Sequence, residues 1–141
     1  MMILDSDHLT VLKYRGSQRF QRLTRRFETV AVEDICTTII NYEEAMRGWL
    51  AVLAKEKQVS RQVAAYGELV EFVTFFSRFK LVDFDEKSAE RFDELRSEGV
   101  KIGTMDLKIA SVTLVHEATL LTANRRDFEK VPGLRFENWL N

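Results

Sequence analysis

The chain has 141 residues, of which 45% are hydrophobic and 30% charged, and its 21 Lys plus Arg against 22 Asp plus Glu give a formal net charge of −1. One Pro and six Gly exclude a collagen-like or low-complexity chain, and the apolar content excludes a disordered one. This length suits a single domain over residues 1–141, large enough to bury roughly 68–70% of its unfolded surface without metal or disulfide staples.

Met2-Ile3-Leu4 is a short apolar run that reads as a buried strand, with Asp5 at its carboxyl end. Ser17 caps a helix in which Phe20, Leu23 and Phe27 form the inward stripe. The β-branched run Asp34–Ile40 predicts a second strand, after which Asn41 caps a long helix towards Lys57, with Gly48 a local weak point. Ser60 is placed to cap a helix through about Phe79, and Leu81–Phe84 to form a short strand. Glu86 to Glu98 is helical with Gly99 as its stop, and Thr104 caps a helix reaching His116. Thr119–Thr122 is a strand, Arg125–Lys130 a helical turn and Leu134–Phe136 a last strand. Strands alternating with helices predict an α/β fold with a mainly parallel central sheet flanked by helices.

Four acids fall at corresponding places in this pattern. Asp5 ends a strand, Glu44 and Asp106 lie near the starts of helices, and Asp127 follows the strand ending at Thr122. In an open parallel sheet these places face one crevice, the usual ligand site. Carboxylates gathered there repel one another unless a cation is present, and hard oxygen donors suit Mg²⁺ or Mn²⁺. Such an ion lowers the pKa of a bound water and screens an acidic pocket from a phosphodiester, so metal-dependent phosphodiester hydrolysis is the chemistry the pattern suggests. Each acid also has a structural explanation. Asn41-x-x-Glu44 resembles a capping box, Asp106 suits the positive end of a helix dipole, and Asp127 could solvate a turn. Asp5, directly after an apolar run, is the hardest to explain by capping.

Between Lys13 and Arg26 lie six basic residues and no acidic one. Arg19, Arg22 and Arg26 share one helical side, either as a solvated face or as a phosphate contact. The single Cys36 has no partner for an internal disulfide and sits in an apolar stretch, which fits a core thiol in a reducing compartment. No secretory segment precedes Asp5, and charges interrupt every apolar run before the ~18 residues of a membrane span. A cytoplasmic protein with no membrane partner is expected.

Four segments carry a specific resemblance: Met2-Ile3-Leu4-Asp5-Ser6-Asp7, Thr38-x-Ile40-Asn41-x-x-Glu44-x-x-x-Gly48, Gly103-Thr104-Met105-Asp106-Leu107-Lys108-Ile109-Ala110, and the run Leu120–Phe128 continued by Val131–Trp139. In order and spacing they resemble a PIN-domain ribonuclease, specifically a VapC-type toxin of a toxin–antitoxin pair. The resemblance implies that Asp5, Glu44 and Asp106 are catalytic, metal-binding acids and that Asp127 is a less regular fourth, with Asn124 helping at that corner. It also implies Mg²⁺ or Mn²⁺, endonucleolytic cleavage of structured RNA such as tRNA, a homodimer, and a cognate antitoxin protein. Asn41 departs from the Thr or Ser often found there, and Glu43 adjoins Glu44. Arg19, Arg22 and Arg26 are candidates for RNA contact.

Two other readings stay open on the residues alone. Asp5-Ser6-Asp7 could serve as aspartyl nucleophile and general acid of a haloacid-dehalogenase-like phosphatase, although the downstream Lys and acidic pair of such enzymes match poorly. Alternatively, the acids could only cap helices in a non-catalytic interaction domain, with Phe72, Phe75, Phe76 and Phe79 forming either core or an interface. His8 and His116 are the only histidines, and nothing brings them together as a metal-independent acid–base pair.

Overall fold

The computed structural model describes all 141 residues. Five strands, β1 (Met2–Leu4), β2 (Ile35–Thr38), β3 (Lys80–Val82), β4 (Thr119–Leu121) and β5 (Arg135–Glu137), pair in the order β3-β2-β1-β4-β5. Every pairing is parallel, with Ile3 opposite Cys36 and Leu4 opposite Leu121. Seven helices connect them: α1 (Ser6–Lys13), α2 (Gln18–Phe27), α3 (Ile39–Lys55), α4 (Val59–Phe76), α5 (Glu86–Ser97), α6 (Thr104–Val115) and α7 (Arg125–Phe128). The chain steps from β1 through β2 to β3 on one side, then crosses to β4 and β5 on the other. The carboxyl end of β1 is therefore the point where strand order reverses, the place at which such sheets bind ligands.

Strands of three or four residues hold because both faces are covered. Successive side chains point to opposite faces, so Ile3 and Leu120 enter one core with Phe92, Leu95, Leu107 and Phe128, while Leu4 and Leu121 enter a second with Leu9, Leu23, Phe75, Phe76 and Trp139. This explains the uninterrupted apolar runs, as expected of parallel strands buried on both sides. Cys36 is a core thiol, buried beside the Met2 carbonyl, and burial pushes it up to about 11, so it is no nucleophile. No helix is long and apolar enough to cross a membrane.

The expected elements are present, with instructive shifts. Helix α1 occupies a segment assigned no element from the sequence; Asp5 caps it, its side chain accepting from the Ser6 N–H at 2.8 Å. The strand expected over Asp34–Ile40 stops at Thr38, because the Thr38 hydroxyl accepts from the Asn41 N–H at 3.2 Å and caps α3. Ile39 and Ile40 are thereby drawn into the first helical turn in spite of their β-branching. Asn41 is thus not the cap, and Glu44 lies a full turn beyond any capping box. Similarly, α4 begins at Val59 with Ser60 inside its first turn, and α6 is entered through Gly103, not capped by Thr104. Gly99 adopts φ +85° directly after α5, the left-handed stop anticipated for it.

The aromatic run divides by burial. Phe75 and Phe76 are buried, and Phe72 and Phe79 pack partly against the same core. The exposed apolar face of α4 is a different stripe, Val59, Val63, Tyr66, Val70 and Val73, at 51–77% exposure.

The C-terminal segment is fastened across the second core by His8. This ring is fully buried; its Nε2 accepts from the Trp139 N–H at 3.1 Å and its Nδ1 faces Asp7 Oδ1 at 2.6 Å. An acceptor at Nε2 fixes the proton on Nδ1, which donates to Asp7. His8→Leu keeps much of the volume but orphans the Trp139 N–H. It is expected to cost about 1–3 kcal/mol, seen as a lower urea midpoint at unchanged m-value, together with faster amide exchange at Trp139.

Candidate active site

Asp5 continues β1 into the crevice, its N–H donating to the Leu121 carbonyl at 2.9 Å. The residue is 6% exposed and both its carboxyl oxygens are engaged, with acceptor capacity left on Oδ2. Oδ1 accepts from the Ser6 N–H at 2.8 Å and from Asn41 Nδ2 at 3.0 Å, while Oδ2 accepts from Thr122 Oγ1 at 2.8 Å. Burial raises its pKa, with the neighbouring Asp7 charge adding and the three hydrogen bonds opposing.

The other acids arrive at the same edge. Glu44 is half-buried on α3 and pushed up to about 7, first by burial and then by Asp5, Asp106 and Glu43, with Arg47 opposing. Asp106, in the first turn of α6, is pushed up to about 6 by burial and then by Asp5, Asp127 and Asp7. A lone acid in a first helical turn is ordinarily favoured in its charged form; here burial, with the acidic neighbours adding to it, outweighs the helix. Asp127 is held by Asn124, which caps α7 through Oδ1 and donates from Nδ2 to Asp127 Oδ2 at 3.1 Å. Asn124 also donates its N–H to Thr122 Oγ1 at 3.1 Å, so this corner connects to Asp5 through one hydroxyl. The structure therefore brings together Asp5, Glu44, Asp106, Asp127 and Asn124. Glu43 is tied to Arg47 at 2.5 Å, which leaves Glu44 as the inward carboxylate.

Asp7 behaves differently from Asp5. Burial opposes its charge, but the hydrogen bonds from His8 and from the Ala123 N–H at 2.8 Å outweigh it and hold the carboxyl below the usual carboxylate range. With its carboxyl lowered in pKa and its oxygens engaged by His8, Thr122 and the Ala123 N–H, Asp7 is poorly suited to general-acid duty, which disfavours the phosphatase reading. His8 serves the C-terminal segment and His116 ends α6, so no histidine pair forms.

The basic face is less free than its sequence suggests. Arg22 Nη1 donates to the Leu140 carbonyl at 3.4 Å, and the Arg26 guanidinium lies 4.5 Å from the Trp139 ring centroid. Both contact the C-terminal segment while remaining exposed, and Arg19 is exposed as well.

In chemistry the donor set fits a hard divalent cation, being all oxygen, locally short of positive charge and mutually repelling. It is not a closed cage, for no three His, Cys, Asp or Glu side chains converge on one point. Sequence reasoning missed Asn41 and Thr122 as the groups that orient Asp5. The available signal was a polar residue at the carboxyl end of each central strand and at the start of α3.

Raised carboxyl pKa values make the folded state bind protons more tightly than the unfolded chain, so stability falls as pH rises through them. In metal-free buffer the melting temperature is expected to drop between about pH 4 and about pH 7, the span from the unfolded values of 4.5 and 3.8 to the folded values of Glu44 near 7 and Asp106 near 6. Glu44→Gln flattens that slope. Mn²⁺ added at the alkaline end restores stability to the native chain and much less to Asp106→Asn, as calorimetry would read.

The architecture and the chain's relatives agree. A PIN domain family model matches residues 2–134. Ribonuclease VapC2 of Rickettsia felis is 32% identical over 125 residues, covering 75% of this chain and 93% of the relative. The tRNA(fMet)-specific endonuclease VapC of Salmonella typhimurium is 29% identical over 109 residues, covering 74% and 75%. Among solved structures, DNA-bound VapBC from Salmonella typhimurium superposes with a TM-score of 0.76 at 25% identity, over 98% of this chain and 97% of the other. VapBC2 from Rickettsia felis bound to a promoter DNA fragment gives 0.72 at 26% identity, over 98% of each chain. With the acid-lined crevice at the strand-order reversal and a family model spanning almost its whole length, this chain belongs to the PIN domain family and is related within it to the VapC ribonucleases.

Proposed function

We propose that the protein is a metal-dependent endoribonuclease, the toxin of a type II toxin–antitoxin pair, acting in the cytoplasm on RNA with tRNA as the expected class. The observation that carries this reading is the gathering of Asp5, Glu44 and Asp106 at one crevice, where burial raises the pKa of all three, the Asp5 charge adds to the rise at Glu44 and Asp106, and the Asp106 charge adds at Glu44. Capping does not account for Glu44 and Asp106, since Thr38 and Gly103 occupy the cap positions of α3 and α6; Asp5, the acid hardest to explain by capping from sequence, does cap α1, but with only one of its two oxygens. The VapC names of the relatives support the nuclease assignment, and the VapBC complexes among the structural neighbours support an antitoxin partner.

Asp5, Glu44 and Asp106 would hold Mg²⁺ or Mn²⁺, with Asp127 as an outer acid. When bound, such an ion supplies an acidified water and neutralises charge building on the attacked phosphodiester. The chain's own contribution is orientation. Asn41 and Thr122 fix both oxygens of Asp5, and the Thr38 hydroxyl in turn donates to Asn41 Oδ1 at 2.7 Å, so the amide cannot flip. Asn124 fixes Asp127 in the same manner. Of the candidate basic residues, Arg19 is exposed with no partner within the chain, whereas Arg22 and Arg26, also exposed, would have to reach RNA phosphates from their contacts with the C-terminal segment.

The test is cleavage of a tRNA and total-RNA panel with Mg²⁺ or Mn²⁺ and with EDTA. Metal-dependent cuts bearing 5′-phosphates are expected. Asn41→Ala should lower activity about 10- to 100-fold, as for other groups that orient a metal ligand, and Asp5→Asn and Asp106→Asn should lower it further. Cleavage indifferent to EDTA and to both acid variants would refute the reading.

We also assign the proposed homodimer to the exposed stripe of α4. Val59, Val63, Tyr66, Val70 and Val73 recur at three- and four-residue spacing along one face, a pattern suited to pairing with a second helix. Val63→Glu with Val70→Glu should convert the dimer to monomer in light scattering while leaving the far-UV spectrum unchanged. A dimer that survives both charges would move the interface elsewhere.

A further inference from the structure

The crevice has a second compartment beside the acids. A cavity of about 240 Å³ opens between α1, α3 and α4. Its floor is apolar, formed by Leu9, Phe75 and Phe76, all buried. Its rim is aromatic and cationic: Lys13 Nζ lies 4.8 Å from the ring centroids of both Tyr14 and Phe72, with Glu68 and Glu71 at 3.6 and 3.4 Å. At the opposite end it reaches the acidic crevice through Glu44, which lines the cavity together with Asn41 and Ser6. There Asn41 Nδ2 donates to Ser6 Oγ at 3.2 Å as well as to Asp5.

The occupant must satisfy three features together. It is adjacent to the site of phosphodiester attack, it presents apolar faces to a floor of aromatic and aliphatic side chains, and it carries polar atoms for Ser6 at one end and Lys13 at the other. A purely aliphatic group would leave the polar ends unmatched, and a phosphate would sit on an apolar floor. A nucleobase meets all three conditions, with a π-face for Tyr14 and Phe72 and an acceptor-bearing edge for a hydroxyl or ammonium. We propose that this cavity takes the unstacked nucleobase of the nucleotide flanking the scissile phosphate, so that Tyr14, Phe72 and Lys13 position the RNA strand for cleavage. The proposal rests on the ribonuclease reading and adds to it a base-binding subsite.

Its occupancy explains how a diester is placed without help from duplex geometry. Cleavage of structured RNA requires the bond to be bent away from its stack, and a pocket for the displaced base lowers the cost of that bend. The rim is rigid enough to do so: the Lys13 side chain is only 10% exposed and is held between two rings and two carboxylates.

The experiment uses an RNA oligonucleotide with a mapped cut, made intact and with an abasic ribose on either side of the cut, incubated with Mn²⁺. The native protein, Ala45→Leu, which fills the cavity from α3, and Tyr14→Ala, which removes a wall at the exposed end of α1, are compared. One abasic substitution should lower kcat/KM of the native protein about 10- to 100-fold, the range expected for losing one stacked base. Each variant should lose a similar factor on intact RNA and almost nothing further on the abasic strand. Tyr14→Ala keeps the test decisive if Ala45→Leu disturbs packing. Equal cleavage of intact and abasic strands by the native protein would overturn the subsite. Full RNA cleavage by Ala45→Leu would overturn it too, and leave the cavity to a protein side chain. Failure of the native protein to cut intact RNA at all would instead refute the ribonuclease reading, and the subsite with it.

Discussion

A carboxylate buried at the end of the central strand is the constraint around which this fold is arranged. Asp5 is 6% exposed, and an unpaired charge in such a place would be too costly to keep. The adjacent Ser6 N–H at the start of α1 and two segments distant in sequence converge to satisfy it: the first turn of α3 through Asn41 and the end of β4 through Thr122. Hydrogen bonds to a charged group contribute about 1.5–3 kcal/mol each. They do not cancel the desolvation, since the pKa of Asp5 remains raised. The same bonds that make Asp5 tolerable also fix both its oxygens, so the cost of burial and the precision of the site have one origin.

Asp7 shows what the chain does when an acid has a structural task. Two residues from Asp5 and on the same turn of backbone, it receives a His8 N–H and the Ala123 N–H and is held ionised, while Asp5, Glu44 and Asp106 are all pushed upward. His8 passes this anchoring on to Trp139, and Trp139 is covered in turn by Arg26 and Phe27. The C-terminal segment is therefore part of the support beneath the crevice. It also contacts Arg22 and Arg26, two of the arginines that a charge map alone would assign to a partner.

Much of the site was legible because acids that recur at strand ends and helix starts have few joint explanations, although each has a separate one. The strand and helix order was legible for a similar reason, since apolar runs such as Met2–Leu4 and Leu120–Leu121 alternate with helical stripes. What stayed hidden were decisions made by a single hydroxyl or by tertiary packing. Thr38 and Asn41 are both competent caps, and only the pull of Asp5 on the Asn41 amide settles which one caps α3. Helix α1 lacks a clean apolar period because His8 is buried as a polar bridge, not as a hydrophobe. On α4 the phenylalanines drew attention from the valines; a bulky aromatic stripe and a β-branched stripe share that helix, and only the position of the sheet determines which faces inward.

The charge distribution constrains how such a site could engage RNA. A chain with net charge −1 has no long-range field to draw in a polyanion, and its crevice carries the acids. Affinity for phosphate must then be generated locally. Cations held by Asp5, Glu44 and Asp106 would reverse the sign of the crevice at the point where the diester must sit, and the apolar cavity beside it offers contact that does not depend on charge. On the proposed reading, the crowding of carboxylates would disfavour the empty site and favour an ion, and an ion held there would turn a surface hostile to RNA into one able to receive it.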